Sequence, residues 1–230
     1  YQVNDRKRII SEKEFSRHEL GLPESGFVFC CFNNNYKILP STFDSWMRVL
    51  KAVEGSVLFL FAENKWAKQN LIKEAIARGM EPNRLIFGEA LPREEYLSRY
   101  KCCDLFLDTY PYNAGTTASD ALWAGLPLLT LMGESFASRV ASSILSAIHL
   151  PELITSSQEE YEALAIELGK NPQKLLLIKE KLIKNRLTKP LFDTPLFTKH
   201  IEDAYVQMMK RYQADLPPDH ITIENTNKES

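Results

Sequence analysis

Two short stretches of this 230-residue chain concentrate groups that grip anions. The first, Phe32-Asn33-Asn34-Asn35-Tyr36-Lys37, is an asparagine-rich run ending on a lysine. The second runs Asp108-Thr109-Tyr110-Pro111-Tyr112-Asn113-Ala114-Gly115-Thr116-Thr117-Ala118-Ser119-Asp120, through a glycine into paired threonines at a predicted helix start. The first amides of a helix have no partner inside it, and the helix dipole is positive at that end. Gly115, Thr116 and Thr117 therefore join backbone donors to two hydroxyls and a favourable potential, the makings of a phosphate site. Lys37 can add a mobile cation, and a diphosphate calls for both kinds of group. Asp120, close to the same helix start, has the chemistry of an acceptor for ribose hydroxyls. A third stretch, Leu91-Pro92-Arg93-Glu94-Glu95-Tyr96-Leu97-Ser98-Arg99, offers backbone groups, an aromatic ring and two arginines to a nucleobase.

Each of these residues also has an ordinary explanation. Thr116 and Thr117 read as simple N-caps, Lys37 as a solvated loop lysine and Asp120 as a carboxylate favoured by the helix dipole. The asparagines suit a turn, and the Arg93–Arg99 stretch suits a surface helix with internal ion pairs. Neither a Walker lysine-serine motif nor a GxGxxG fingerprint occurs, so P-loop and dinucleotide-binding readings lose their usual support.

For the first two stretches to meet, the chain must place them at the ends of neighbouring strands. Phe27–Phe32, Ser56–Ala62, Arg84–Phe87, Asp104–Asp108 and Pro127–Leu131 are short apolar runs that read as strands, the first two covered on both faces. Between them lie helical stripes at Ser41–Val53, Trp66–Arg78, Pro92–Tyr100 and Thr116–Ala124, with Ser41 or Thr42 capping the first and Gly79 and Gly125 stopping two others. Helices are expected further at Glu12–Glu19, Ser135–Ala147, Ser157–Leu168, Pro172–Arg186 and Leu196–Tyr212, the last burying a face with Leu196, Ile201, Ala204, Tyr205 and Met208. Alternation of this kind predicts a doubly wound α/β domain with a parallel, Rossmann-like sheet and a helical C-terminal extension. Its organisation reads as a lead-in and linker over 1–26, a Rossmann-like core over 27–150, the extension over 151–214 and a fraying tail over 215–230. With strand order 3-2-1-4-5, the loops after strands one and four flank the crevice where ligands bind.

Composition narrows the function classes. The chain has 44% hydrophobic and 25% charged residues, as a packed domain does. Lys and Arg number 28 against 30 Asp and Glu, a net charge of −2, which argues against dedicated nucleic-acid binding. Apolar runs fall short of the roughly 20 residues of a membrane helix, and no signal-peptide core opens the chain. The adjacent pairs Cys30-Cys31 and Cys102-Cys103 read as buried, reduced thiols in a cytoplasmic protein. The four histidines do not cluster with carboxylates, and no metal or other cofactor is expected. A first residue of Tyr1 reads as the start of a piece of something longer.

The chain is similar to the catalytic region of the O-linked N-acetylglucosamine transferase family, which includes plant SPINDLY-type proteins and bacterial members. The resemblance rests on FNNNYKILPSTFDSWMRVLKAVEGSVL (Phe32–Leu58), DTYPYNAGTTASDALWAGLPLLTLMGESFASRVASS (Asp108–Ser143) and PLFDTPLFTKHIEDAY (Pro190–Tyr205), with YQVNDRKR resembling the segment that joins the two catalytic halves. It implies the C-terminal, donor-binding half of a GT-B glycosyltransferase. By this resemblance Lys37 meets the donor diphosphate, Thr116 and Thr117 the phosphate, Asp120 the ribose, and Leu91, Arg93, Tyr96 and Arg99 the base. Animal members carry glutamine at Asn34, histidine at Gly115, and lysine and histidine at Arg93 and Tyr96, so diphosphate binding transfers better than base and sugar identity. The implied donor is UDP-N-acetylglucosamine and the acceptor Ser or Thr of a protein, engaged through an N-terminal half and tetratricopeptide repeats absent here. Alternatives are a GDP-fucose or UDP-glucose donor, a nucleotide-sugar epimerase of the same architecture, or a non-catalytic interaction module.

Overall fold

The computed structural model describes residues 5–62 and 64–223. The opening Tyr1–Asn4 of the joining segment and residues 224–230 of the expected tail lie outside the described residues. Five strands form where the apolar runs predict them: β1 (Val28–Cys31), β2 (Val57–Phe61), β3 (Leu85–Gly88), β4 (Leu105–Leu107) and β5 (Leu128–Leu131). All pair in parallel, in the order β3-β2-β1-β4-β5-β6. The expected order is therefore present, extended by β6 (Ile154–Thr155), whose two residues are too few to leave a periodic trace in sequence. Central β1 sets the register, with Phe29 facing Leu58 of β2 and Leu105 of β4. Phe29, Phe59 and Phe106 are wholly buried, which accounts for strands that are apolar on both faces.

Around the sheet lie α1 (Pro40–Ala52), α2 (Lys65–Ala77), α3 (Arg93–Ser98), α4 (Thr116–Trp123), α5 (Val140–Ala147), α6 (Gln158–Lys170), α7 (Pro172–Thr188) and α8 (Thr194–Gln213). Helix α1 buries Phe43, Trp46, Met47, Val49 and Leu50 as its stripe requires. Its Trp46 Nε1 donates to the Tyr161 hydroxyl of α6 at 3.2 Å, tying the extension to the core. Gly79 and Gly125 stop α2 and α4 with φ of 71° and 88°, a backbone region that costs residues with a Cβ. All four cysteines are buried and free.

Several expectations are corrected. Residues Glu12–Glu19 form no helix: Ser16 and Glu19 bond reciprocally as at a helix start, but the turn they open over 17–20 is closed at once by Gly21 (φ 68°), with Leu22 N donating to Arg17 O. The lead-in is instead a strap stitched along α3 and α4. Ser11 N donates to Glu94 O, Ser98 Oγ to Lys13 O, Trp123 Nε1 to Arg8 O and Arg17 to Asp104. Helix α1 begins at Pro40 with no side-chain cap, and the Thr42 hydroxyl donates to Tyr110 O instead. Helix α5 starts only at Val140, since Ser135 and Ser138 bond each other in a turn. Helix α8 has no fully buried residue: of its expected core face Leu196 and Ala204 are half-buried, and Ile201, Tyr205 and Met208 are exposed.

Candidate functional site

Strand order reverses between β1 and β4, so the segments leaving those strands border one crevice. Beyond β1 the chain forms a single 3-10 turn, Asn35–Lys37, which Asn35 pins to the sheet by donating to Phe61 O at 2.9 Å. The turn aims Lys37 across the crevice. Its ammonium donates to Asn113 O at 3.0 Å and lies 3.9 Å from the centre of the Tyr112 ring, a cation–π arrangement. Asn113 closely precedes the start of α4, where Gly115 occupies the N-cap with no side-chain cap bond. Lys37 thus reaches the loop that leads directly into the helix start carrying Thr116 and Thr117.

The crevice is a cavity of about 370 Å³, within the range of small-molecule sites. Asn34, Lys37, Leu91, Tyr96, Arg99, Gly115, Thr116 and Thr117 all line it, so eight of the ten predicted residues converge. Phe32, Asn33, Tyr36, Phe61 and Ala90 complete the wall. Thr116 is exposed to the cleft, whereas the Thr117 hydroxyl donates to Asn33 Oδ1 and leaves the anion chiefly its amide.

Two predicted residues do not line the cleft. Arg93 opens into a neighbouring cavity with Asp5, Lys7, Arg8, Glu94 and Thr194, because the first turn of α3 points its side chain toward the strap. Asp120 is buried in an ion pair with Arg8 of the strap, their side chains 9% and 6% exposed. Burial outweighs the attraction of Arg8 and raises the Asp120 carboxyl above its ordinary range.

A sequence model of glycosyl transferase family 41 matches residues 6–201. The chain belongs to that family. It is 39% identical over 207 residues to the UDP-N-acetylglucosamine–peptide N-acetylglucosaminyltransferase of Caenorhabditis elegans, covering 90% of this chain and 18% of that protein. It is 36% identical over 229 residues to the probable enzyme of that name, SEC, of Arabidopsis thaliana, covering 97% and 23%. The solved structure of a mutant Thermobaculum terrenum O-GlcNAc transferase matches with a TM-score of 0.76 at 35% identity, over 80% of this chain and 36% of that one. Anabaena HepE, solved with UDP and glucose, shares the fold at TM-score 0.57 and 15% identity, over 84% of this chain and 50% of that one. The chain spans about a fifth of the length of these curated relatives. Its architecture is the doubly wound, Rossmann-like half of a GT-B glycosyltransferase with a helical extension.

The floor of this family 41 cleft is built on two of the predicted residues, Arg99 and Tyr96. Arg99 is 1% exposed and stacks on Phe32 at 4.1 Å and Tyr96 at 4.8 Å. Its Nη1 donates to Glu89 O at 2.9 Å, and no carboxylate pairs with it among the described residues. Burial accordingly lowers its affinity for the proton below that of a free guanidinium. The Tyr96 and Tyr100 hydroxyls bond at 2.5 Å, and burial pushes both upward in pKa. Beneath the loop after β4, Asp108 is buried and accepts from Thr109 N, Ala114 N, Asn33 Nδ2 and Thr130 Oγ1. Its carboxyl is raised to about 6 by burial, against those four donors. Asp108, Asn33 and Asn113 lie in the two anion-gripping stretches and Arg8 in the joining segment, but nothing in their spacing singles them out from their neighbours. Among the described residues no group of three or more His, Cys, Asp or Glu is arranged to hold a metal ion, and no helix is long and apolar enough to cross a membrane.

Proposed function

We propose that this chain is the donor-binding part of a protein O-glycosyltransferase that uses UDP-N-acetylglucosamine and Ser or Thr acceptors. The observation that carries the reading is the shared cleft: Lys37 and the start of α4 line one cavity, a cation and open amides where a diphosphate can lie between them. The relatives named for peptide N-acetylglucosaminyl transfer support the sugar and the acceptor class.

In the reaction, the bond between the sugar anomeric carbon and the diphosphate oxygen breaks as the acceptor hydroxyl attacks. The electron pair stays on the diphosphate, and the hydroxyl proton passes to a base supplied outside this chain. Lys37 and the Gly115–Thr117 helix start stabilise the leaving charge, the electrostatic work that most lowers such barriers. Tyr96 and the backbone near Leu91 hold the base. The isolated chain binds the donor and does not transfer it.

Calorimetric titration with UDP and with GDP tests the reading. Binding of UDP in preference to GDP supports it. Preference for GDP moves the donor to a guanosine sugar, and no heat with either leaves an interaction module.

A further inference from the structure

We propose that Asp108 is the positioning residue of the donor cleft: a buried carboxylate that touches no donor atom yet holds the Asn113 carbonyl and the Gly115–Thr117 helix start in one arrangement. The inference rests on the donor-site reading above. Asp108 is 2% exposed and does not line the cleft. Its Oδ1 accepts from Thr109 N at 2.8 Å and Ala114 N at 2.7 Å, so one oxygen gathers both ends of the loop. The same oxygen accepts from Asn33 Nδ2 at 3.2 Å, and Asn33 Oδ1 in turn takes the Thr117 hydroxyl, which reaches helix α4. Oδ2 accepts from Thr130 Oγ1 at 2.7 Å, anchoring the group to β5. Within the loop, Asn113 Nδ2 donates to Thr109 O at 2.8 Å, placing the carbonyl that Lys37 meets.

Oδ1 takes three N–H donors that cannot accept in return; a proton on Oδ2 turns the Thr130 hydroxyl into the acceptor and removes the charge that strengthens those three bonds. Burial brings that protonation within reach, at about pH 6. The titratable neighbours are accounted for element by element. Cys31 at the end of β1 and Tyr161 on α6 are pushed upward by burial and stay neutral. Glu162 on α6 is held ionised by Arg48 of α1. Lys37 beyond β1 and Tyr110 in the loop complete the surroundings. Asp108 alone of these is raised to the neighbourhood of pH 6.

The test is the pH dependence of UDP-N-acetylglucosamine binding, a probe whose diphosphate has no group titrating in this range. Wild-type affinity is expected to fall about tenfold between about pH 7.5 and about pH 5, as the competent fraction shrinks. Asp108→Asn is expected to bind weakly and with no such step, its fold checked by circular dichroism. Thr130→Val removes one donor without altering charge, so it raises the Asp108 carboxyl and moves the midpoint upward by about half a pH unit or more. An Asn variant that follows the wild-type curve, or a Thr130→Val midpoint that does not move, overturns the proposal. If Asp108→Asn does not fold, the Thr130→Val midpoint decides. A wild-type chain that binds at no pH instead removes the donor-site reading and this inference with it.

Discussion

The Lys37 ammonium and the Asn113 carbonyl stand 3.0 Å apart, joining the outlet of β1 to the loop that leads into α4. The cation is therefore held by the loop that leads into the helix start at Thr116. On the proposed reading, a diphosphate in the cleft would meet a lysine already in place.

Lys37→Ala is expected to weaken UDP binding by about 1.5–3 kcal/mol, the range for a hydrogen bond to a charged group. Uridine, which has no phosphate, should lose almost nothing. Calorimetry with both ligands separates the two, and an equal loss for each would place Lys37 away from the diphosphate.

Arg8 and Asp120 form a buried pair that links the strap to α4. Arg8→Ala leaves a buried carboxylate without its counter-ion and is expected to cost about 3 kcal/mol or more of unfolding free energy. The double variant Arg8→Met, Asp120→Leu should recover most of that loss, since an apolar pair of similar volume can replace a buried ion pair. Urea unfolding of the single and double variants measures the coupling. Additive losses would mean that the pair is not formed in solution.

Stability should also report Asp108. Its carboxyl is raised from 3.8 to about 6 in the folded state, so between those values the native chain binds more protons than the unfolded one. The contribution of Asp108 to stability therefore falls as pH rises through that window and is constant above it, an effect on the order of 3 kcal/mol. Relative to Asp108→Asn, the wild type should be more stable at about pH 4.5 than at about pH 7.5. Denaturant melts at the two values check the sign, and the reverse order would show that the group is not raised.

Much of this arrangement was legible in the sequence because it follows from local chemistry. Strands such as Val57–Phe61 are apolar without alternation, and only a sheet covered on both faces makes that tolerable. Alternation with helices makes the sheet parallel, and with the common order 3-2-1-4-5 the outlets bearing Lys37 and Gly115 must be neighbours. What the sequence concealed depends on partners that are distant along the chain. A carboxylate ending a strand looks the same whether water or four protein donors surround it, so Asp108 passed as an ordinary strand end. Asp120 gave no sign that Arg8 would claim it. In the lead-in, the Ser16 and Glu19 spacing signals a helix start, yet the bonds it predicts close on a turn.

Helix α8 shows the same limit from the other side. Its apolar spacing is real, but Tyr205 is 62% and Met208 51% exposed. Replacing both with serine should leave the unfolding free energy within about 0.5 kcal/mol, as for surface positions generally. A loss of about 2 kcal/mol or more would mean that this face packs on its own domain.

The stitched lead-in has a practical bearing on how the protein is handled. An affinity tag or sensor linker joined ahead of Asp5 hangs a few residues from Arg8, whose buried charge is locked to the helix that begins at Thr116. Tension there loads that ion pair and, through it, the first turns of α4. Immobilisation from beyond Gln213 instead pulls on a helix that has no fully buried residue.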